Sequence, residues 1–210
     1  MPLYDPVVAA SHLSAADARL AALIERVGTC GLDVGGMDSP FRSLLRAIVY
    51  QQLSGKAAGT IYGRLENLFA DRQPGAAALL ALSEAELRAA GLSRAKAAAA
   101  ADLAARALDG TIPTRAALDT MEDRTIIDQL TVVRGVGPWT VQMLLIFELG
   151  RPDVLPATDL GVRRGISRLY GLDALPTADE VALRGTRWRP YRSVASWYLW
   201  RAADMSPLPA

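Results

Sequence analysis

Helix-start patterns recur along this chain of 210 residues, whereas the alternation of β-branched and polar residues that is typical of strands is nearly absent. Ser39 followed by Pro40 predicts a capped helix start, and the segment 41–53 then has apolar residues at helical spacing. Capping boxes are indicated by "SEAE" at 83–86 and by "TADE" at 177–180. We therefore expect an all-α fold of about ten short helices, joined by connections of a few residues.

The composition and the rare residues narrow the class of protein. Hydrophobic residues make up 51% and charged residues 21%, as in globular proteins. No apolar run approaches the roughly 18 residues of a membrane span, and the N-terminus carries no secretory signal. Cys30 and His12 are the single residues of their types, which excludes an internal disulfide, a multi-thiolate metal site and a histidine-based triad. A reducing, cytosolic setting fits best. With a net charge of +1, any nucleic-acid binding must rest on a local patch.

Two helices, 122–132 and 138–149, are predicted on either side of "RGVG". We expect Gly135 to supply a positive φ, and Gly137, just before Pro138, to let an outside group approach the backbone. The helix that begins there offers N–H groups and the positive end of its dipole, which favour an anion such as a phosphate. An ordinary helix turn also explains these glycines. A dinucleotide-binding fold is disfavoured, because no strand precedes them.

The chain resembles a known family in several segments that follow one another from about residue 36 to residue 203. The hairpin "LTVVRGVGPWTVQMLLIF" and the following "LPATDLGVRRG" resemble the helix-hairpin-helix and catalytic-aspartate segment of the DNA base-excision glycosylases. The hairpin alone is shared by many DNA-binding proteins, whereas the ordered set is specific. Four further segments resemble the alkylation-repair branch, the DNA-3-methyladenine glycosylases II: "FRSLLRAIVYQQLSGKAAGTIYGRL" (41–65), "GLSRAKAAA" (91–99), "IPT" (112–114) and "WRPYRSVASWYLWR" (188–201).

The resemblance implies an all-α fold of two helical lobes with the active cleft between them. Residues 36–150 would form a helical bundle that contains the helix-hairpin-helix, and residues 1–35 together with 151–210 would form the second lobe. Larger relatives carry an additional β-rich N-terminal domain. This chain resembles the compact form.

Asp159 matches the family's catalytic aspartate, which faces the sugar of the flipped nucleotide. Cleavage of an N-glycosidic bond builds positive charge on the sugar, and a fixed carboxylate stabilises that charge and orients the attacking water. The following "LGVRRGISRLY" is helical, so Asp159 is expected at a helix N-terminus, where the dipole favours its ionised form. The alternative is an ordinary N-cap worth about 1 kcal/mol, and the two roles can coexist.

The resemblance also implies a pocket for the damaged base. Trp139 stands where strand-cutting relatives carry the lysine that forms a Schiff base, which implies a monofunctional enzyme. Its indole suits an alkylated purine, which is electron-poor or cationic. Met143 and Leu160 occupy positions where some relatives carry tyrosine, and Trp200 matches a pocket aromatic of the family. Tyr50 is a further pocket candidate; core packing is the alternative for both tryptophans and for Tyr50.

The segment "QQLSGKAA" resembles the loop that enters the minor groove, where a side chain must fill the gap left by a flipped base. Gln52, Leu53 and Ser54 are the candidates; Leu53 is the best apolar wedge, and Ser54 can instead cap the next helix. Each basic residue near these elements can equally be a solvated surface charge. The other DNA-binding candidates are Lys56, Arg134, Gly135, Val136, Gly137, Thr140 and Arg163.

Together these features predict hydrolytic removal of alkylated bases, such as 3-methyladenine, from double-stranded DNA by a monomer that does not engage a membrane. No organic cofactor or catalytic metal is expected, although the hairpin carbonyls can hold a monovalent cation beside a phosphate. Two rivals stay open: a glycosylase for another lesion class, and a non-catalytic helix-hairpin-helix DNA-binding protein. Asp159, Trp139 and Trp200 argue against the second rival, because a DNA clamp needs none of them.

Overall fold

The computed structural model describes residues 4–35 and 38–205, and within these ranges every regular element is helical. The all-α prediction is therefore confirmed. These residues form thirteen α-helices and one 3-10 helix, more than expected, because short helices subdivide the segments 76–89 and 115–130. In chain order the helices are α1 (Pro6–Ala16), α2 (Ala18–Val27), α3 (Pro40–Tyr50), α4 (Gly55–Glu66), α5 (Ala76–Leu80), α6 (Glu84–Ala89), α7 (Arg94–Leu108), α8 (Arg115–Thr120), α9 (Asp123–Leu130), α10 (Pro138–Phe147), α11 (Leu160–Tyr170), α12 (Ala178–Arg184), the 3-10 helix (Gly185–Trp188) and α13 (Arg192–Asp204).

Side-chain caps form where the sequence predicts them. Ser39 Oγ accepts a hydrogen bond from the N–H of Arg42 at the start of α3. Both predicted capping boxes, Ser83 with Glu86 and Thr177 with Glu180, are present. Each such N-cap contributes about 1 kcal/mol, so local sequence alone goes far toward fixing these helix starts.

The chain divides into two compact units. The aspartate unit comprises the described residues of Met1–Gly36 and Leu145–Ala210, and the hairpin unit comprises those of Met37–Leu144. The division falls within α10. Gly36, where the sequence suggests a lobe boundary, lies outside the described residues, and the expected cleft stays a prediction. No helix within residues 4–35 and 38–205 is long and apolar enough to cross a membrane.

In the hairpin unit, α7 packs against α3, α5 and α6. Its alanine-rich surface allows close approach, and Ala97, Ala100, Leu103 and Ala104 are all buried. Removal of this apolar surface from water stabilises the unit by about 25 cal/mol per Å². The helix is thereby fixed on several sides, which lets its polar side chains hold neighbouring loops.

In the aspartate unit, α11 and α13 pack closely along each other. A Cβ atom at Gly165 would lie 2.1 Å from the carbonyl oxygen of Leu199, so this approach requires glycine. Gly161, one turn earlier on the same face of α11, also faces α13. Trp188 and Tyr198 are fully buried and are the largest side chains of this core.

Candidate functional site

Asp159 is the N-cap residue of α11, as predicted. Its Oδ1 accepts one hydrogen bond from the N–H of Val162 and one from Nε1–H of Trp200, both at 2.8 Å. The N–H of Asp159 donates to the carbonyl oxygen of Pro156 at 2.9 Å, which orders the turn before the helix. The residue is half-buried. The indole bond orients the carboxylate from a second helix, which an ordinary N-cap does not require.

Trp200 is held between α10 and the start of α11. Its ring stacks on Phe147, with the centroids 5.5 Å apart and the planes inclined by 22°, an arrangement worth about 0.5–1.5 kcal/mol beyond burial. Gly161 leaves room for the indole: a Cβ there would lie 2.7 Å from Trp200 Cδ1 and 3.1 Å from Asp159 Oδ1. The tryptophan is half-buried, so it is neither a pure core residue nor a free surface ring.

The segment that leads to Asp159 is attached to the first turn of α13. Ser193 is fully buried and its Oγ accepts the N–H of Val154 at 3.0 Å. Asp153 forms a two-point ion pair with Arg192, with N–O distances of 2.6 and 3.0 Å, the geometry in which arginine binds carboxylate most strongly. One helix, α13, therefore holds both the approach to the aspartate and the indole that orients it.

Two further predicted residues of α11 differ in their surroundings. Leu160 exposes 47% of its surface. Arg163 is half-buried, and its Nε donates to the carbonyl oxygen of Pro176 at 2.7 Å. Arg163 therefore braces the loop before α12, and the DNA contact expected of it stays a prediction.

The turn between α9 and α10 is held by α7. The N–H of Arg134 donates to Oδ2 of Asp102 at 2.8 Å, and Arg106 pairs with the same oxygen at 2.9 Å. Burial alone would raise the pKa of Asp102, but the hydrogen bonds from the Arg134 amide and from Arg106 outweigh it and hold this pKa below its ordinary value. Gly135 has φ +77°, as predicted. The side chain of Arg134 itself is exposed.

The start of α10 is open at Gly137. A Cβ atom built there would meet nothing within 4 Å, and the helical bonds begin with Val141 N–H to the carbonyl oxygen of Gly137 at 3.3 Å. The positive end of the helix dipole thus lies beside a residue without a side chain, a geometry that suits an anion. Val136 and Thr140 are buried, so we expect any DNA contact of theirs to come from the backbone.

Trp139 exposes 45% of its surface. This exposure argues against the core-packing alternative for Trp139. Met143, one turn further along α10, is half-buried. Both residues belong to the hairpin unit, and their roles toward a base stay predictions.

After α3 the chain makes a tight turn over residues 50–53. The N–H of Leu53 donates to the carbonyl oxygen of Tyr50 at 3.3 Å. Gln51 has φ −53° and ψ 133°, and Gln52 has φ +57°. These three angles agree with a type II turn, whose third position normally carries glycine. Gln52 and Leu53 are both exposed at the tip, where either can reach a partner.

Two ties hold this 50–53 turn. Lys96 of α7 donates through Nζ to the carbonyl oxygens of Val49 and Gln51, both at 2.7 Å. The side-chain Nε2 of Gln51 donates to the carbonyl oxygen of Gly135 at 2.9 Å. Burial lowers the pKa of Lys96. The 50–53 turn is therefore linked both to α7 and to the hairpin turn.

The residues that flank the 50–53 turn have local structural roles. Ser54 Oγ accepts the N–H of Ala57 at 3.4 Å and caps α4, as its capping alternative predicts. Lys56 is exposed. Tyr50 is half-buried, and the guanidinium carbon of Arg46 lies 4.2 Å from the centroid of its ring. Tyr50 thus packs within the hairpin unit, and a contact of any of these residues with DNA or a base stays a prediction.

The hairpin carbonyls are the candidate ligands of the expected monovalent cation. Those of Val133 and Gly135 each accept one hydrogen bond, from Val136 N–H and from the Gln51 amide. Each carbonyl has a second lone pair, so this donor set fits a cation, which stays a prediction. Across the ranges that the structure describes, no group of three or more His, Cys, Asp or Glu residues could hold a metal ion.

Several residues that position the predicted ones are missed by sequence reasoning. Lys96, Asp102 and Ser193 bind backbone groups that are distant in the sequence, and no local pattern indicates such contacts. Gly161 could have been found from the sequence, because it precedes Gly165 by four residues. This spacing places two small residues on one face of a helix.

Known proteins resemble this chain in both sequence and structure. A family model described as "HhH-GPD superfamily base excision DNA repair protein" matches residues 45–190. DNA-3-methyladenine glycosylase 1 of Schizosaccharomyces pombe is 34% identical over 197 residues, which cover 93% of this chain and 86% of the relative. The solved structure of the same organism's 3-methyladenine DNA glycosylase (Mag1) in complex with abasic DNA has a TM-score of 0.86 at 33% identity, covering 96% of this chain and 99% of that one. The DNA-3-methyladenine glycosidase of Bacillus halodurans has a TM-score of 0.84 at 35% identity, covering 97% and 91%.

Proposed function

This chain belongs to the HhH-GPD superfamily of base excision DNA repair proteins, and from this premise we propose that it is a monofunctional DNA glycosylase. It hydrolyses the N-glycosidic bond of alkylated bases of the 3-methyladenine type in double-stranded DNA, the substrate class named for its relatives. The observation that carries the proposal is the setting of Asp159, a half-buried carboxylate at a helix N-terminus that a backbone N–H and an indole N–H hold in one orientation.

Asp159 is the proposed catalytic residue. When the bond between base and sugar breaks, the base leaves with the bonding electrons and positive charge develops on the deoxyribose. The carboxylate stabilises that charge without having to reorient, because Val162 and Trp200 already hold it. Water then adds to the sugar carbon and loses a proton, which leaves an abasic site and the free base.

Trp139 supports the absence of strand cleavage. An indole has no amine with which to form a Schiff base on the sugar, and its exposed ring offers an aromatic face to an electron-poor or cationic base. A cationic base is also a good leaving group, so the reaction needs no strong general acid. Met143, Leu160 and Trp200 are the further residues that we assign to base recognition.

We assign DNA binding to two elements of the hairpin unit. The open start of α10 at Gly137 would bind a phosphate, with charge added by Arg134 and Lys56. The exposed tip of the 50–53 turn, Gln52 with Leu53, would fill the gap left by the flipped base. We propose that the protein acts on DNA as a monomer in the cytoplasm.

The test is release of bases from methylated duplex DNA by the native protein and by Asp159→Asn. The native protein should release 3-methyladenine and leave abasic sites that break only after alkali. Since one preorganised electrostatic contact is worth about 10²–10³ in rate, the variant should lose at least about 100-fold.

Binding of DNA that contains an abasic-site analogue is the matched measurement, and Asp159→Asn should retain it. No base release by the native protein, or an unchanged rate in the variant, contradicts the proposal. Trapping of a covalent protein–DNA adduct with borohydride would falsify the monofunctional assignment.

A further inference from the structure

We propose that Lys96 is a positioning residue for DNA binding: it presets the 50–53 turn for insertion into the gap of a duplex from which a base has been flipped or removed. This inference rests on the proposed function and deepens it. It concerns a residue that lies on α7, outside the elements expected to touch DNA.

The first observation is that position 96 carries a lysine in a chain whose basic residues are nearly all arginines. The chain has 23 basic residues, of which only Lys56 and Lys96 are lysines. The ammonium of Lys96 is a compact group with three donors, and two of them meet carbonyl oxygens at the end of α3. These carbonyls lie at the negative end of the helix dipole and lack partners within the helix. A guanidinium can also donate to two such carbonyls, as Arg168 does with Ala203 and Met205 at the end of α13, so the feature that matters at position 96 is a cation with several donors.

The second observation is the conformation that Lys96 holds. Gln52 has φ +57°, which is uncommon for a residue with a side chain and persists only where neighbouring contacts impose it. Lys96 holds the carbonyl of Gln51, the residue immediately before Gln52. The side chain of Gln51 in turn donates to the carbonyl of Gly135. The exposed side chains of Gln52 and Leu53 are thereby set before any DNA arrives.

A preset turn lowers the entropic cost of binding, because the residues that insert are already ordered. This advantage applies only where a gap exists to receive them. Loss of Lys96 should therefore weaken binding to a duplex with an abasic site more than binding to an intact duplex. The hairpin is proposed to bind both duplexes through their phosphates.

The experiment measures affinity for two duplexes of one sequence, one undamaged and one with a stable abasic-site analogue. The variants are Lys96→Met, which keeps the length of the side chain, and Lys96→Arg, which keeps the charge. Arg94→Met is the matched control, since Arg94 lies on the same first turn of α7, is exposed and pairs with Glu84 on the surface. We expect Lys96→Met to lose about tenfold of the preference for the abasic duplex. Lys96→Arg, whose guanidinium can also donate to two carbonyls, and the Arg94→Met control should both retain most of this preference.

A folded Lys96→Met protein with the native preference overturns the proposal, because a merely structural role would leave this ratio unchanged. If Lys96→Met does not fold, Lys96→Ala decides in its place, because its small side chain lets water reach the two carbonyls. A full native preference in Lys96→Ala overturns the proposal, and a reduced preference supports it. Base release by the native protein distinguishes the two failures. If the native protein releases bases but the Lys96 variants keep the native preference for the abasic duplex, only the role of Lys96 is refuted. If the native protein neither prefers the abasic duplex nor releases bases, the proposed function is refuted as well.

Discussion

Asp17 and Asp159 are two versions of one local arrangement within the aspartate unit. Each is the N-cap residue of a helix and accepts a backbone N–H of the first turn. Each also accepts an indole N–H, from Trp188 at 3.0 Å and from Trp200 at 2.8 Å. They differ in access to solvent: Asp17 is only 5% exposed, whereas Asp159 is half-buried.

The surroundings of Asp17 explain why it serves stability. Its Oδ1 accepts the N–H groups of Arg19 and Leu20, and its Oδ2 accepts the hydroxyl of Tyr170 and the indole N–H of Trp188. Both oxygens are therefore engaged inside the core. A carboxylate of this kind joins helices, while the more accessible Asp159 can meet a substrate. The comparison teaches that an N-cap with an indole donor does not by itself indicate catalysis.

Asp17→Ala should have the largest effect on stability. It removes the acceptor of two backbone N–H groups and of two core side chains, so the free energy of unfolding should fall by about 4 kcal/mol. Urea denaturation followed by circular dichroism measures this loss. Asp159→Ala is the matched variant and should lose only about 1 kcal/mol as an N-cap, together with most base release. Equal stability losses would break the comparison.

The pH dependence of stability should also show that Asp17 contributes to stability. Burial alone would raise the pKa of Asp17, but the hydrogen bonds from Tyr170, Trp188 and Leu20 hold it below its ordinary value. Because the folded pKa is the lower one, the stability that Asp17 adds is complete above the unfolded-state pKa and is lost as pH falls through the folded pKa. Urea titrations at successively lower pH should therefore show a smaller decline in Asp17→Asn than in the native protein.

Replacing Trp188 or Trp200 by phenylalanine removes one indole donor at a time and so tests the two aspartates separately. Trp188→Phe leaves a cavity in the core and takes one donor from Asp17, so we expect a loss of about 2 kcal/mol in urea denaturation. Trp200→Phe keeps an aromatic ring beside Phe147 but removes the indole donor, so the Asp159 carboxylate is held less firmly in its orientation. Its stability should change by less than about 1 kcal/mol, and its base release should slow about tenfold. The opposite distribution of effects would reverse the roles assigned to the two aspartates.

Gly161→Ala should have the smallest effect. The added methyl would lie 2.7 Å from the Trp200 ring, which must shift and lengthen its bond to Asp159. We expect base release to slow by about threefold to tenfold, with stability within about 1 kcal/mol of the native value. Gly63→Ala in α4 is the control, because a Cβ there meets nothing within 4 Å. It should gain about 0.5–1 kcal/mol at an unchanged rate. A native rate in Gly161→Ala would show that the indole adjusts without cost.

The helix starts and the two glycines of the hairpin are determined by the sequence itself. The Ser39 cap, the capping boxes and the positive φ of Gly135 depend on interactions within a few residues, and short-range patterns record such interactions. The N-cap position of Asp159 is local in the same way. The order of motifs along the chain was also sufficient to indicate the family, which the comparisons show.

Tertiary structure decided which helix ends carry orienting partners. The bond from Trp200 to Asp159 spans 41 residues, that from Arg134 to Asp102 spans 32, and those from Lys96 span 45 and 47. Helical periodicity repeats every few residues and contains no record of contacts at such separations. Asp17 and Asp159 are both helix N-caps, and only the packing around them makes one carboxylate buried and the other accessible.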